Sequence, residues 1–134
     1  MAMFPDIPMN LAIRFWETSE EFTNGQSIDL TLENSSTYEV RFSDENDVYA
    51  FVFENNAWSK LENSLTYFPP NVERPLRPKA PDNAGVTAIL LTPHLDNAGP
   101  APASVRVVVI GTIYENDRKT DRKIGAYIDV ELNP

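Results

Sequence analysis

The chain contains no cysteine. Disulfides, thiolate metal centres and cysteine nucleophiles are therefore excluded outright, in whichever compartment the protein works. Imidazole is almost as scarce. The one histidine, His94 in LTPHLD, stands beside a proline at the end of an apolar run and reads as a solvated loop residue. A Ser-His-Asp triad needs a nucleophile on a strained turn next to that ring, and histidine-based metal binding needs partners this chain does not supply. The signatures GxSxG, SxxK, HExxH, GxGxxG and the P-loop are also missing. The chain reads as non-enzymatic, with no catalytic residue and no cofactor.

Positive charge is in short supply as well, with 11 Lys and Arg against 20 Asp and Glu for a net charge of −9. That balance repels nucleic-acid phosphates and anionic lipid headgroups, which argues against nucleic acid as a partner. Long apolar runs are absent. The longest, Val105 to Tyr114 (VRVVVIGTIY), carries an arginine and is too short to span a bilayer as a helix, so no membrane insertion is expected. The opening MAMFPDIPMN has neither a basic n-region nor an apolar h-region. A mature form that had lost its leader or lipid anchor would read the same, so the expected location is extracytoplasmic if such a segment precedes Met1 and cytoplasmic otherwise.

Helical periodicity is missing too. No window of about eleven residues gives an apolar stripe, and Glu17–Phe22 (ETSEEF) could hold at most one turn before Asn24-Gly25. Period two is what the chain does contain. SIDLTLEN sets Ile28, Leu30 and Leu32 against Asp29, Thr31 and Glu33. GAYIDVEL sets Ala126, Ile128, Val130 and Leu132 against Tyr127, Asp129 and Glu131, and LAIRFWE sets Leu11, Ile13 and Phe15 against Arg14. These are half-buried strands. Val48–Glu54, Val86–Thr92 and Val105–Tyr114 are apolar on both faces and suit central strands. Turn residues separate the runs at Asn24-Gly25, Asn34-Ser35-Ser36, Asp44–Asp47, Asn55-Asn56, Asn83–Gly85 and Asn97–Gly99. Asn34-Ser35-Ser36 fits a glycosylation sequon, but the same residues serve as a strand-ending turn, the reading preferred here.

The expectation is an all-β fold: one antiparallel sandwich of about seven strands over residues 11–134, negligible helix, and a short extension at residues 1–10. Its core should hold Leu11, Ile13, Ile28, Leu30, Leu32, Val107, Val109, Ile128 and Val130. The last two strands should be joined by a protruding charged tip, ENDRKTDRK. The stretch NVERPLRPKAPDN (Asn71–Asn83) is read as a stiff connection inside this domain, because neither flank has enough strands to close a sandwich of its own.

The layout carries a resemblance. FTNGQSIDLTLENSS, then the hairpin VYAFVFENNAWSKLE with Trp58 just past its turn, then VRVVVIGTIY and GAYIDVEL as closing strands, resembles bacterial immunoglobulin-like domains over Leu11 to Leu132. A weaker similarity is to bacterial intracellular proteinase inhibitors. The chain departs from both in its long Phe68–Pro81 connection and in HLDNAGPAPAS before the penultimate strand. The resemblance implies an immunoglobulin-like sandwich serving as a binding or spacer module of an exported or surface-anchored bacterial protein.

Three groups remain as candidate sites. Asp44, Glu45 and Asp47 cluster enough carboxylates to attract a hard cation such as Ca²⁺, although a polar hairpin turn uses the same residues. The aromatics Trp16, Trp58, Tyr49, Phe51, Phe53, Tyr67 and Phe68 read as core, with Trp58 the exception near a hairpin tip. Arg74, Arg77 and Lys79, on the proline-stiffened loop, could engage a protein partner with little loss of entropy. The alternative function is a proteinase inhibitor presenting residues 69–83, with Lys79-Ala80 as the one susceptible bond not guarded by a following proline.

Overall fold

The computed structural model describes residues 6–15, 21–34, 36–42, 48–61, 65–67, 86–95, 99–116 and 118–134. In chain order the strands are β1 (Ala12–Phe15), β2 (Glu21–Thr23), β3 (Ile28–Glu33), β4 (Glu39–Arg41), β5 (Val48–Glu54), β6 (Ala57–Lys60), β7 (Leu65–Tyr67), β8 (Val86–Thr92), β9 (Ala103–Glu115) and β10 (Arg118–Asn133). Among the described residues there is no helix, and none therefore that could cross a membrane.

Two sheets face each other. One has the order β1-β3-β8-β7, the other β2-β10-β9-β5-β6, with β4 also paired to β9. This order corresponds to that of immunoglobulin-like sandwiches, β1-β3-β8-β7 standing as A-B-E-D and β10-β9-β5-β6 as G-F-C-C′. The alternation read from the sequence decides which side chains meet between the sheets. Ile28, Leu30 and Leu32 of β3 are fully buried while Asp29 is exposed. Val107, Val109 and Val130 are buried with them, as is Leu11, and Ile13 and Ile128 pack against the cluster partly exposed. Each aliphatic side chain so buried contributes about 1.5–3 kcal/mol relative to exposure. The three runs apolar on both faces, β5, β8 and β9, are all interior strands of their sheets.

Ten strands are described where about seven were expected, and two features of their pairing depart from the expected layout. First, the opening edge strand changes sheets. β1 pairs antiparallel with β3, and β2 then pairs with β10 in the other sheet, in parallel. The sandwich is thus antiparallel except along this edge, and Glu21 and Phe22, from the stretch that came nearest to a helical turn in the sequence, lie in a strand. Second, β4 and β5 do not form a hairpin around Asp44–Asp47. Both pair with β9 and run in the same direction along it, Val40 opposite Ile113 and Val48 opposite Val109. They are two parts of one strand line.

The charged tip is also shorter than expected. β9 continues to Glu115 and β10 starts at Arg118, with Asn116 in the left-handed region at φ 51°. A register shift between Lys119 and Lys123 absorbs the extra residues. There the Thr120 hydroxyl donates to the Ile113 carbonyl at 2.6 Å, filling a ladder position that the bulge vacates.

At the other flank of β10, Pro8 to Leu11 dock on its edge. The Gly125 N–H donates to the Pro8 carbonyl at 2.9 Å, and the Leu11 N–H donates to the Gly125 carbonyl at 3.0 Å. A side chain at Gly125 would run into the Val109 carbonyl and Met9. Pro8, inside the 1–10 stretch read from sequence as an extension, is therefore hydrogen-bonded to the sheet.

Candidate binding face

The second sheet has an inner face on the core and an outer face toward solvent, and register assigns every residue to one or the other. On β5 the inward parity carries Val48, Ala50 and Val52, all buried. Tyr49, Phe51 and Phe53 therefore point outward, contrary to the expectation that these rings belong to the core. The small side chains face in because β9 opposite them already supplies Val105, Val107 and Val109. Opposite Phe53 on β6 stands Trp58, and opposite Val108 on β10 stands Tyr127.

Arg106 is the centre of this face. Its guanidinium forms a two-pronged pair with Asp129, Nε to Oδ1 at 2.7 Å and Nη2 to Oδ2 at 2.9 Å. The same group lies 4.5 Å from the Trp58 ring centre and 4.5 Å from that of Tyr127. Only 15% of its side chain is exposed. The Asp129 carboxylate raises the Arg106 pKa above its ordinary value, against the opposing effect of burial, so the cation is fixed at any physiological pH. Trp58 also tilts against Phe53 at 5.1 Å, Tyr49 and Phe51 stack at 6.4 Å, and the Lys60 ammonium stands 5.6 Å from the Tyr49 ring. The outer parts of this cluster remain in water: Tyr127 is 50% exposed and Phe53 44%. They are the large hydrophobic side chains most open to solvent among the described residues.

Of the candidates read from sequence, Trp58 lies in this cluster. Asp44, Glu45 and Asp47, and likewise Arg74, Arg77 and Lys79, fall outside the described residues. Among the described residues no three His, Cys, Asp or Glu side chains gather closely enough to hold a metal ion. His94 is exposed beside Gly25. Asn34 is fully buried, where its Nδ2 donates to the Tyr38 carbonyl at 2.6 Å and its Oδ1 accepts from the Ser36 N–H at 3.0 Å and hydroxyl at 2.6 Å. The Asn34 amide of the sequon is thus engaged through both its nitrogen and its oxygen.

Sequence reading missed Arg106, Asp129, Tyr127 and Phe53. A signal was there for Tyr127 and Asp129, an aromatic and an acid on the solvent parity of a clearly alternating strand. No family model and no curated protein matches the chain. Among solved structures it is similar to Spo0M, a sporulation control protein from Bacillus subtilis, at 8% identity and a TM-score of 0.50, over 93% of this chain and 50% of that one. The chain thus spans about half the length of Spo0M, and the likeness is one of fold alone. It is also similar to AvmM, described as catalysing macrocyclization in alchivemycin A biosynthesis, at 11% identity and a TM-score of 0.42, over 96% of this chain and 91% of that one. The second likeness carries no statement about this chain.

Proposed function

We propose that the chain is a non-enzymatic immunoglobulin-like binding module, of the kind carried by exported or surface-anchored bacterial proteins, and that it binds a protein through the outer face of β10-β9-β5-β6. One observation carries this reading: Phe53 and Tyr127, both about half exposed, lie on the same face around a pre-positioned Arg106 and Trp58. Tyrosine, tryptophan and arginine are the residues that concentrate binding energy at protein interfaces. Rings held by their neighbours also lose little side-chain entropy on contact. The assignment to exported bacterial modules rests on the resemblance of the strand motifs.

Site-specific photo-crosslinking in the producing cell tests the proposal. A photoreactive side chain at position 127 is expected to yield a defined adduct, and the same group at Asp29, exposed on the opposite sheet, is expected to yield none. Equal labelling at both positions, or none at 127, would overturn the reading. Stoichiometric inhibition of trypsin or subtilisin by the intact chain would replace it with proteinase inhibition; we expect both enzymes to remain active.

A further inference from the structure

We infer that Asn24 is a latent modification site: the folded chain holds it shut against deamidation through Pro93 and Leu95, and its conversion unlatches this end of the sandwich for good.

Asn24-Gly25 is the one Asn-Gly pair of the chain. In such a pair the glycine nitrogen, with no side chain beside it, attacks the asparagine side-chain carbonyl carbon. A bond forms from that nitrogen to the carbon, the nitrogen gives up its proton, and the side-chain amide leaves as ammonia. The five-membered imide then takes up one water at either of its carbonyls, giving aspartate or isoaspartate. Water enters and ammonia departs, so the step needs no cofactor and no second protein.

The fold opposes this reaction at each atom it uses. The Thr23 carbonyl accepts from the Gln26 N–H at 2.8 Å, and of the two residues between them only Gly25 is left-handed, at φ 83°. That is a type II turn, in which Asn24 takes a ψ of roughly +120°. At this angle the Gly25 nitrogen is rotated well away from the Asn24 Cβ, whereas the imide ring needs the two nearly eclipsed. The attacking nitrogen is also engaged, since the Gly25 N–H donates to the Pro93 carbonyl at 3.0 Å. The amide under attack is held at both ends. Its Nδ2 donates to the Leu95 carbonyl at 2.9 Å, and its Oδ1 accepts from the Leu95 N–H at 2.8 Å. Pro93 is buried and Leu95 packs against the core, so the groups that clasp the turn are themselves anchored. Conversion therefore requires the turn to leave them, with the loss of three hydrogen bonds.

Either product resists closing again. Aspartate has no N–H for the Leu95 carbonyl and sets a carboxylate oxygen against it instead. Isoaspartate routes the main chain through Cβ, which adds one atom to a turn closed at 2.8 Å and shifts the Gly25 N–H off Pro93. The Asn24 N–H donates to the Asn133 carbonyl at 2.7 Å, so the change falls at the end of the β2–β10 pairing. Opening a turn at the end of a sheet is a local event that costs less than global unfolding. The site thus keeps a chemical record of how long this end of the domain has stood open.

Peptide mass spectrometry on the whole chain, incubated in mildly alkaline heavy-oxygen water, tests this. Conversion at Asn24 is expected to be at least tenfold slower in the folded chain than in the same chain unfolded in urea. It is also expected to stay flat in urea concentrations below the unfolding transition, because the opening is local. In Asn24→Asp, hydrogen exchange at the Gly25 and Leu95 amides is expected to be at least tenfold faster than in the wild type, with the Val107 amide unchanged. Should this variant fail to fold, the exchange is read on the converted fraction of the wild type after chromatographic separation. A folded chain that converts within tenfold of the unfolded one, a rate that climbs with urea in step with global unfolding, or converted chains with wild-type exchange would overturn the inference.

Discussion

Asn34 shows how much one buried amide can carry. It closes the end of β3 by bonding three groups within the next four residues. Alanine there would leave the Ser36 N–H and the Tyr38 carbonyl without that partner in a dry environment, and each such loss costs about 1–3 kcal/mol. We expect Asn34→Ala to lower unfolding free energy by about 2–4 kcal/mol in urea titration. Gly111 makes a comparable demand of a different kind. A Cβ at this position would collide with Val40 and Phe42, so Gly111→Ala should cost about 1–3 kcal/mol by overpacking. On the outer face, Asp129→Asn should cost only about 1 kcal/mol, since the carboxylate is 44% exposed and solvent replaces much of what it gives Arg106. A loss as large as that for Asn34 would show that Arg106 is far drier than its exposure indicates.

At the scale of strands, the hairpin between β5 and β6 turns on two residues, Asn55 and Asn56, both left-handed at φ 54° and 59°. This is the I′ geometry that matches the twist of the flanking strands, and asparagine enters it more readily than any residue but glycine. Asn56→Gly should therefore raise the midpoint of thermal unfolding slightly, and Asn56→Val should lower it by several degrees, both read by calorimetry. The turn was legible in the sequence because Asn-Asn between two β-rich runs has few other uses. The strands of clear alternation were legible for a similar reason: a period-two pattern in SIDLTLEN or GAYIDVEL leaves one choice of inward face. Val48–Glu54 was not, because a run apolar at every position leaves its parity open. Size could have decided it, since Val48, Ala50 and Val52 fall on one parity and the rings of Tyr49, Phe51 and Phe53 on the other. Nor could Asp44–Asp47 be told from a hairpin turn. A polar interval between two strands reads alike whether the chain reverses or continues along the same neighbour, and only the pairing of both strands with β9 decides it. The proposed binding face was the least legible part, because Arg106, Asp129, Tyr127 and Trp58 come from three strands and meet only through register.

Across the whole molecule, the edge of β10 has a consequence for how the fold bears load. Midway along that strand Gly125 holds Pro8 and Leu11, and at its end Glu131–Asn133 pair with β2 in parallel. Tension applied between Asp6 and Asn133 would draw β2 and β10 in opposite directions along their common axis. Their hydrogen bonds lie across that pull, so they must rupture together rather than one after another. Tension between Gly99 and Asn133 would instead open β9 from β10 pair by pair, starting where Ala103 faces Leu132. Single-molecule pulling should therefore find a markedly higher rupture force for the first attachment than for the second. Equal forces would mean that the parallel edge bears no load. A strand pairing that seemed only to complicate the count of elements would make this domain a mechanical fastener, stiff along one axis and easily unzipped along another.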